Sequence, residues 1–363
     1  MDFTKNIGLS ISQETFGQLP DGSFVSIFIL KNAANCVVKI INFGAIITEM
    51  HVPDKFGISG DVCLGFENIE SYQNNTAHIG GVIGRFCNRI KAGRFKLDGV
   101  LYQLDTNDGI NHLHGGYIGL DKVIWDPQIF TTEDSVGLKL SYLSPDCDQG
   151  YPGNLSVNAI YELNNRNELL IKFNAITDKA TPVNLTQHPY FNLACCGNIL
   201  THKLMINANF YTPFDENKIP TGELCEVAQT PLDFRCSHLI GERIEHLNSC
   251  HGHSGYDHNF VLNKPNNNEI FLAARVHEPA SGRILEVFTQ SPGIQFYSGD
   301  YLNGTLVGKG NTYASRSGFC LEPQYFPDSP NQENFPSVIL RPGEQFTSTI
   351  MYKFSVGKCN TPI

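Results

Sequence analysis

Apolar and polar positions alternate in short runs along most of this chain, the period expected of strands with one buried face. Residues 24–30, 36–41 and 46–52 are rich in β-branched and aromatic side chains, and Pro20-Asp21-Gly22, Asn32-Ala33-Ala34-Asn35 and Pro53-Asp54 separate them. Residues 136–143 alternate, as do 155–163 and 169–176, the last two joined by a hairpin-like Asn164-Asn165-Arg166-Asn167. The texture continues through 270–276, 283–289, 293–297 and 346–354. Short strands with frequent turn signals predict an all-β sandwich or barrel rather than βαβ units. Helical patterning is confined to short stretches, of which 240–247 is the best. There is no internal repeat or low-complexity tract. The stretch Asn263-Lys264-Pro265-Asn266-Asn267-Asn268 reads as an exposed loop, so residues 1–363 predict one large domain of antiparallel sheets.

Two stretches depart from the alternation. Val183-Asn184-Leu185-Thr186-Gln187-His188-Pro189-Tyr190-Phe191-Asn192-Leu193 sets one histidine among amides, hydroxyls and aromatic rings. Far downstream, Gly318-Phe319-Cys320-Leu321-Glu322-Pro323 places a single glutamate after a short apolar run and before a proline-rich loop. The hypothesis is that His188 and Glu322 meet in one cleft as an acid and a base.

Composition narrows the partner. A formal net charge of -10 weighs against nucleic-acid or anionic-membrane surfaces and fits a neutral small molecule. The eleven cysteines include no CxxC pair, which leaves neither a zinc ribbon nor a thioredoxin motif. Scattered free thiols point to a reducing compartment, and the expected location is cytoplasmic. Met1-Asp2-Phe3-Thr4-Lys5-Asn6 shows no signal-peptide pattern. No apolar run approaches the roughly 20 residues that span a bilayer.

Four clusters remain, each with a bland reading. Gly80-Gly81-Val82-Ile83-Gly84-Arg85-Phe86-Cys87-Asn88-Arg89-Ile90 lacks the Gly-Lys-Ser/Thr of a Walker loop. It is either a glycine turn with surface arginines or a site where Arg89 and Asn88 bond ligand hydroxyls. In Asn111-His112-Leu113-His114-Gly115-Gly116 the two histidines would share a strand face, but no third metal ligand follows. The glycines let backbone approach a ligand, which favours His114 over His112. The spacing in Cys250-His251-Gly252-His253-Ser254-Gly255-Tyr256-Asp257-His258 matches no standard zinc site. There Asp257, at a loop–strand junction, reads as a turn former or a ligand group. Gly293-Ile294-Gln295-Phe296-Tyr297 alone is a strand with an amide, Gln295, at its centre.

Together these pieces resemble the aldose 1-epimerase family, also called galactose mutarotases. The matching segments are Gly84-Arg85-Phe86-Cys87-Asn88-Arg89-Ile90, Leu113-His114-Gly115-Gly116, Asp121-Lys122-Val123-Ile124-Trp125, Gly150-Tyr151-Pro152-Gly153, and Thr181 to Leu193. Asp257-His258-Asn259-Phe260, Pro292-Gly293-Ile294-Gln295-Phe296-Tyr297, Gly318-Phe319-Cys320-Leu321-Glu322 and Arg341-Pro342-Gly343-Glu344 follow in the family's order. The resemblance implies a large antiparallel β-sandwich with an open cleft and few short helices. It implies interconversion of the α and β anomers of D-galactose and D-glucose, with no cofactor and no metal. By position, Glu322 matches the general base on the C1 hydroxyl and His188 the general acid on the ring oxygen. Asn88, Arg89, His114, Tyr190, Asp257 and Gln295 match substrate contacts. The partner is then a monosaccharide, with monomer and dimer both open.

Gln187, Pro189, Cys87 and Pro323 depart from the family's usual residues, and Pro323 removes a backbone N–H beside the base. Pairing is expected to raise the pKa of His188 and to keep Glu322 ionised. Two rival readings stand beside this one. The first is a non-catalytic sugar sensor. The second is a hexose-6-phosphate 1-epimerase, for which Arg85 and Arg89 are the phosphate candidates.

Overall fold

In the computed structural model, which describes residues 8–247, 255–265 and 269–357, the alternating runs are strands of three antiparallel sheets. The strand Leu155–Asn164 shows why the pattern works. Leu155, Val157, Ala159, Tyr161 and Leu163 are all buried, and the residues between them are partly exposed. Its partner Glu168–Thr177 sets Leu169 opposite Leu163, Ile171 opposite Tyr161 and Phe173 opposite Ala159, so both strands bury the same face. The turn between them is closed by Asn167 at positive φ and by Asn32, whose amide donates to the Asn164 carbonyl at 2.8 Å.

These two strands sit in a nine-stranded sheet. It runs Asp126–Thr131, Ser135–Ser144, Leu155–Asn164, Glu168–Thr177, Phe346–Val356, Arg283–Thr289, Phe271–His277, Lys203–Ile206 and His238–Leu239. A five-stranded sheet is made by Ser10–Gln18, Phe24–Lys31, Val37–Ile41, Ile46–Pro53 and Ser59–Asp61 in chain order. A third sheet runs Cys225–Glu226, Ala208–Tyr211, Asp257–Leu262, Gly293–Tyr297 and Cys320–Gln324. One buried cluster joins all three, with Phe28 and Val38 from the first, Val157 and Phe173 from the largest, and Phe296 and Leu321 from the third. The sheets therefore pack face to face as a sandwich.

One local expectation is corrected. Residues 240–247 form two single 3₁₀ turns, Ile240–Glu242 and Ile244–His246, because one buried isoleucine each is too little apolar face for a longer helix. The one α-helix among the described residues is Ile69–Gln73, capped by the Asn68 side chain accepting the Ser71 N–H. Nothing in the described helices is long and apolar enough to cross a membrane.

Candidate active site

Short pairings carry the two irregular stretches to each other. Thr186–Gln187 pairs with Val82–Ile83, and Phe191 bridges to Phe319. Gln187 is held by its amide to the carbonyls of Gly80 (2.6 Å) and Ala45 (3.2 Å) and accepts from the Tyr161 hydroxyl. His188 is thus fixed beside the strand Cys320–Gln324. In the third sheet, Asn259, Gln295 and Glu322 lie in register across three strands, so their side chains share one face. That face and the loops around it enclose a cavity of about 670 Å³, lined by all eight expected residues.

At its floor His188 Nε2 lies 3.5 Å from Glu322 Oε2, with both side chains buried. The other ring nitrogen faces Cys320 Sγ at 3.5 Å, and the ring of Tyr190 flanks the imidazole at 5.2 Å. His114 leaves its strand at positive φ, and its Nδ1 accepts the Asn88 N–H at 3.1 Å. The neutral ring therefore carries its proton on Nε2. Gly115, at φ +90°, follows because a Cβ there would fall 1.8 Å from the Gly84 carbonyl oxygen. Arg89 donates its Nε to Asp108 at 2.8 Å. Asp257 accepts from Gln295 at 2.8 Å and from Lys218 at 2.7 Å. The Tyr190 hydroxyl donates to the Ala77 carbonyl at 3.1 Å.

Electrostatics overturn one expectation. Burial drives His188 down to about 3. Burial, with Asp257 adding, pushes Glu322 well above the ordinary carboxylate range. Desolvation outweighs the attraction of a partner 3.5 Å away, so burial favours the neutral form of both groups. Burial also opposes ionisation of Asp257, but Lys218 and Arg89 more than offset it and bring the carboxylate to about 2.

Several singled-out residues lie elsewhere in function. The two histidines at 112 and 114 do not share a face. The His112 ring is used on both sides, by the Asp105 carbonyl (2.6 Å) and the Tyr151 hydroxyl (2.7 Å). Arg85 is a buried strut. Its guanidinium donates to the carbonyls of Ser144, Pro145, Pro152 and Gly153 and to the Ser144 hydroxyl. Cys250, His251 and His253 fall outside the described residues. His188, Cys320 and Glu322 offer ligand atoms within 4.8 Å of one another. They are three buried groups, and a structural zinc site takes four protein ligands. The cleft also contains two groups with no sequence signal of their own, Lys218 on a turn and His78 beside a glycine pair.

A sheet-based sandwich with this cleft defines the class, an isomerase acting on carbohydrates. Residues 26–353 match the aldose 1-epimerase family, and the chain belongs to it. It is 45% identical to galactose mutarotase from Homo sapiens over 353 residues, covering 96% of this chain and 99% of that protein. It is 38% identical to aldose 1-epimerase from Escherichia coli over 344 residues, covering 94% and 98%. The solved structure of galactose 1-epimerase from Lactobacillus acidophilus NCFM superimposes with a TM-score of 0.84 at 31% identity, over 96% of this chain and 100% of that one.

Proposed function

We propose that this chain interconverts the α and β anomers of D-galactose and D-glucose, with Glu322 as general base on the C1 hydroxyl and His188 as general acid on the ring oxygen. The observation that carries the reading is the buried 3.5 Å contact between these two groups at the floor of a sugar-sized cleft. Opening transfers the C1 hydroxyl proton to Glu322, breaks the bond from C1 to the ring oxygen, and moves the His188 proton to that oxygen. Rotation about C1–C2 and the reverse transfers close the other anomer. Each proton transfer is worth on the order of 10²–10⁴-fold.

The forms that burial favours, a protonated carboxyl and a neutral imidazole, have the proton distribution of the open-chain complex. That pair is ready for closure, and ring hydroxyls that solvate the carboxylate favour the charged form needed for opening. Arg89 and the Nε2–H of His114 supply donors to sugar oxygens as charge develops. Asn88, Tyr190 and Gln295 shape the pocket, and Asp257 accepts from hydroxyls away from C1. The residues act as one domain, which the shared core cluster of the three sheets supports. The nine described cysteines, all free, support a cytoplasmic location.

Arg85, committed to four carbonyls, weighs against the 6-phosphate reading, since the cations that do line the cleft, Arg89 and Lys218, are already paired with Asp108 and Asp257. Polarimetry on freshly dissolved α-D-galactose, α-D-glucose and α-D-glucose 6-phosphate tests the choice. Acceleration of the two free sugars over buffer, with the phosphate at the buffer rate, is the expected result. Saturable binding without acceleration of any of the three would favour the sensor.

A further inference from the structure

His78 was not among the expected site residues, yet it lines the same cavity with its side chain 18% exposed. Its position is built. Lys122 clamps the segment before it by donating to the carbonyls of Tyr72 (2.9 Å) and Asn75 (2.6 Å). The Asn75 side chain accepts the Ala77 N–H at 2.8 Å. The Gly81 N–H returns to the His78 carbonyl, and the Gly80 N–H bonds the His188 carbonyl, so the two histidines are tied through one backbone. His78 Nδ1 lies 2.8 Å from Oδ2 of the buried Asp121, and this is the hydrogen bond the Asp121 carboxyl makes among the described residues. Burial opposes ionisation of Asp121, and His78 and Lys122 hold it below its ordinary range nonetheless. A carboxylate only accepts, so it fixes a proton on Nδ1, and in that tautomer Nε2 is the acceptor.

His114 has the opposite tautomer, because its Nδ1 is occupied by the Asn88 N–H. The two rings stand edge to face with centroids 4.9 Å apart, and the His188 ring lies 5.5 Å from His114 and 6.4 Å from His78. One wall of the cleft therefore presents an N–H donor beside a bare nitrogen acceptor. A hydroxyl is itself one donor and one acceptor, and a vicinal pair offers the same complement across two oxygens.

We propose that His78 is a substrate-binding residue whose Nε2 accepts a hydrogen bond from a sugar hydroxyl, complementary to the donor on His114, with Asp121 as its positioning residue. The inference rests on the epimerase reading for the identity of the sugar. It adds a specificity contact to that reading, one that selects a hydroxyl able to donate.

The test uses galactose analogues with each hydroxyl in turn replaced by hydrogen or fluorine, since fluorine cannot donate. For wild type, one position is expected to show a loss of about tenfold in kcat/KM for both replacements, the size of one hydrogen bond. His78→Phe should lose that discrimination at that position and keep it at the others. His78→Gln, which returns an acceptor near Nε2, should restore part of it. Circular dichroism and melting of each variant separate misfolding from a lost contact, and sugar binding followed by NMR saturation transfer gives the same comparison without turnover. Equal discrimination in wild type and His78→Phe at every position, with both folded, would overturn the proposal. Failure of the epimerase reading is distinct: wild type would not accelerate mutarotation, while the position-specific loss of binding in His78→Phe would still support the contact.

Discussion

Taking a carboxyl and an imidazole out of water penalises whichever form is charged, and a partner repays that penalty only when it is close and well solvated by other donors. Among the described residues no hydrogen bond reaches the buried Glu322 Oε2, so the penalty dominates. The consequence is a shifted pH profile. In kcat/KM the acid limb marks a second proton entering the pair, and burial of His188 places it near 3 rather than at the 6.5 of a free histidine. Polarimetric kcat/KM on α-D-galactose, corrected for buffer catalysis, should stay level from pH 7 down to the onset of acid unfolding. An acid limb centred between about 6 and 7 would contradict this, since it is where an unperturbed imidazole titrates. The sequence paired both residues in one cleft but pointed to the opposite direction for their pKa values. It shows that a histidine and a glutamate are available, not how many other atoms surround them.

At the scale of elements, arginines close in sequence have different work. Arg89 opens a two-residue strand paired to His112–Leu113 and faces the cleft, whereas Arg85 points the other way, into carbonyls of the segments around 144–153. Arg85→Met removes every donor to those buried carbonyls. It should cost about 3 kcal/mol or more of stability, read by urea denaturation, while the choice among free sugars is unchanged in the variant that remains folded. A loss of stability within about 0.5 kcal/mol would show that the carbonyls find other partners. The alternation of polar and apolar residues made the long strands legible within a residue or two, as for Leu155–Asn164 and Arg283–Thr289. It could not reveal Thr186–Gln187 or Arg89–Ile90, because two residues carry no period. These short pairings set the site, and they were readable only as family motifs. Lys218 and His78 had neither period nor motif, and only folding brings them to the cleft.

For the molecule as a whole, the five histidines whose pKa burial lowers furthest weigh on acid stability. Burial lowers His188 to about 3, His112, His202 and His258 to about 4, and His114 well below 6.5. The unfolded chain then binds more protons, so stability present above pH 6.5 is lost as pH falls toward the folded values, by about 1.4 kcal/mol per unit for each fully titrating group. Glu322 and Asp328 have the opposite sign, because burial raises both and makes the folded state the better proton binder above their ordinary range, but they are two groups against five. Melting temperature should therefore fall between pH 6.5 and 4.5, above the range in which ordinary carboxylates titrate. A flat or rising melting temperature there would mean that water reaches these rings. The sandwich and its cleft were legible as a class from strand texture and motif order. The choice of sandwich over barrel was not, because strand period carries no information about closure.

The most direct measurement is the mutarotation rate of freshly dissolved α-D-galactose with wild type and Glu322→Gln side by side. Glutamine keeps the size of the side chain and removes the base. Acceleration over buffer by wild type, reduced at least about 100-fold in a folded Glu322→Gln, is the predicted result. A folded Glu322→Gln that accelerates mutarotation at the wild-type rate would contradict the assignment of the proton acceptor.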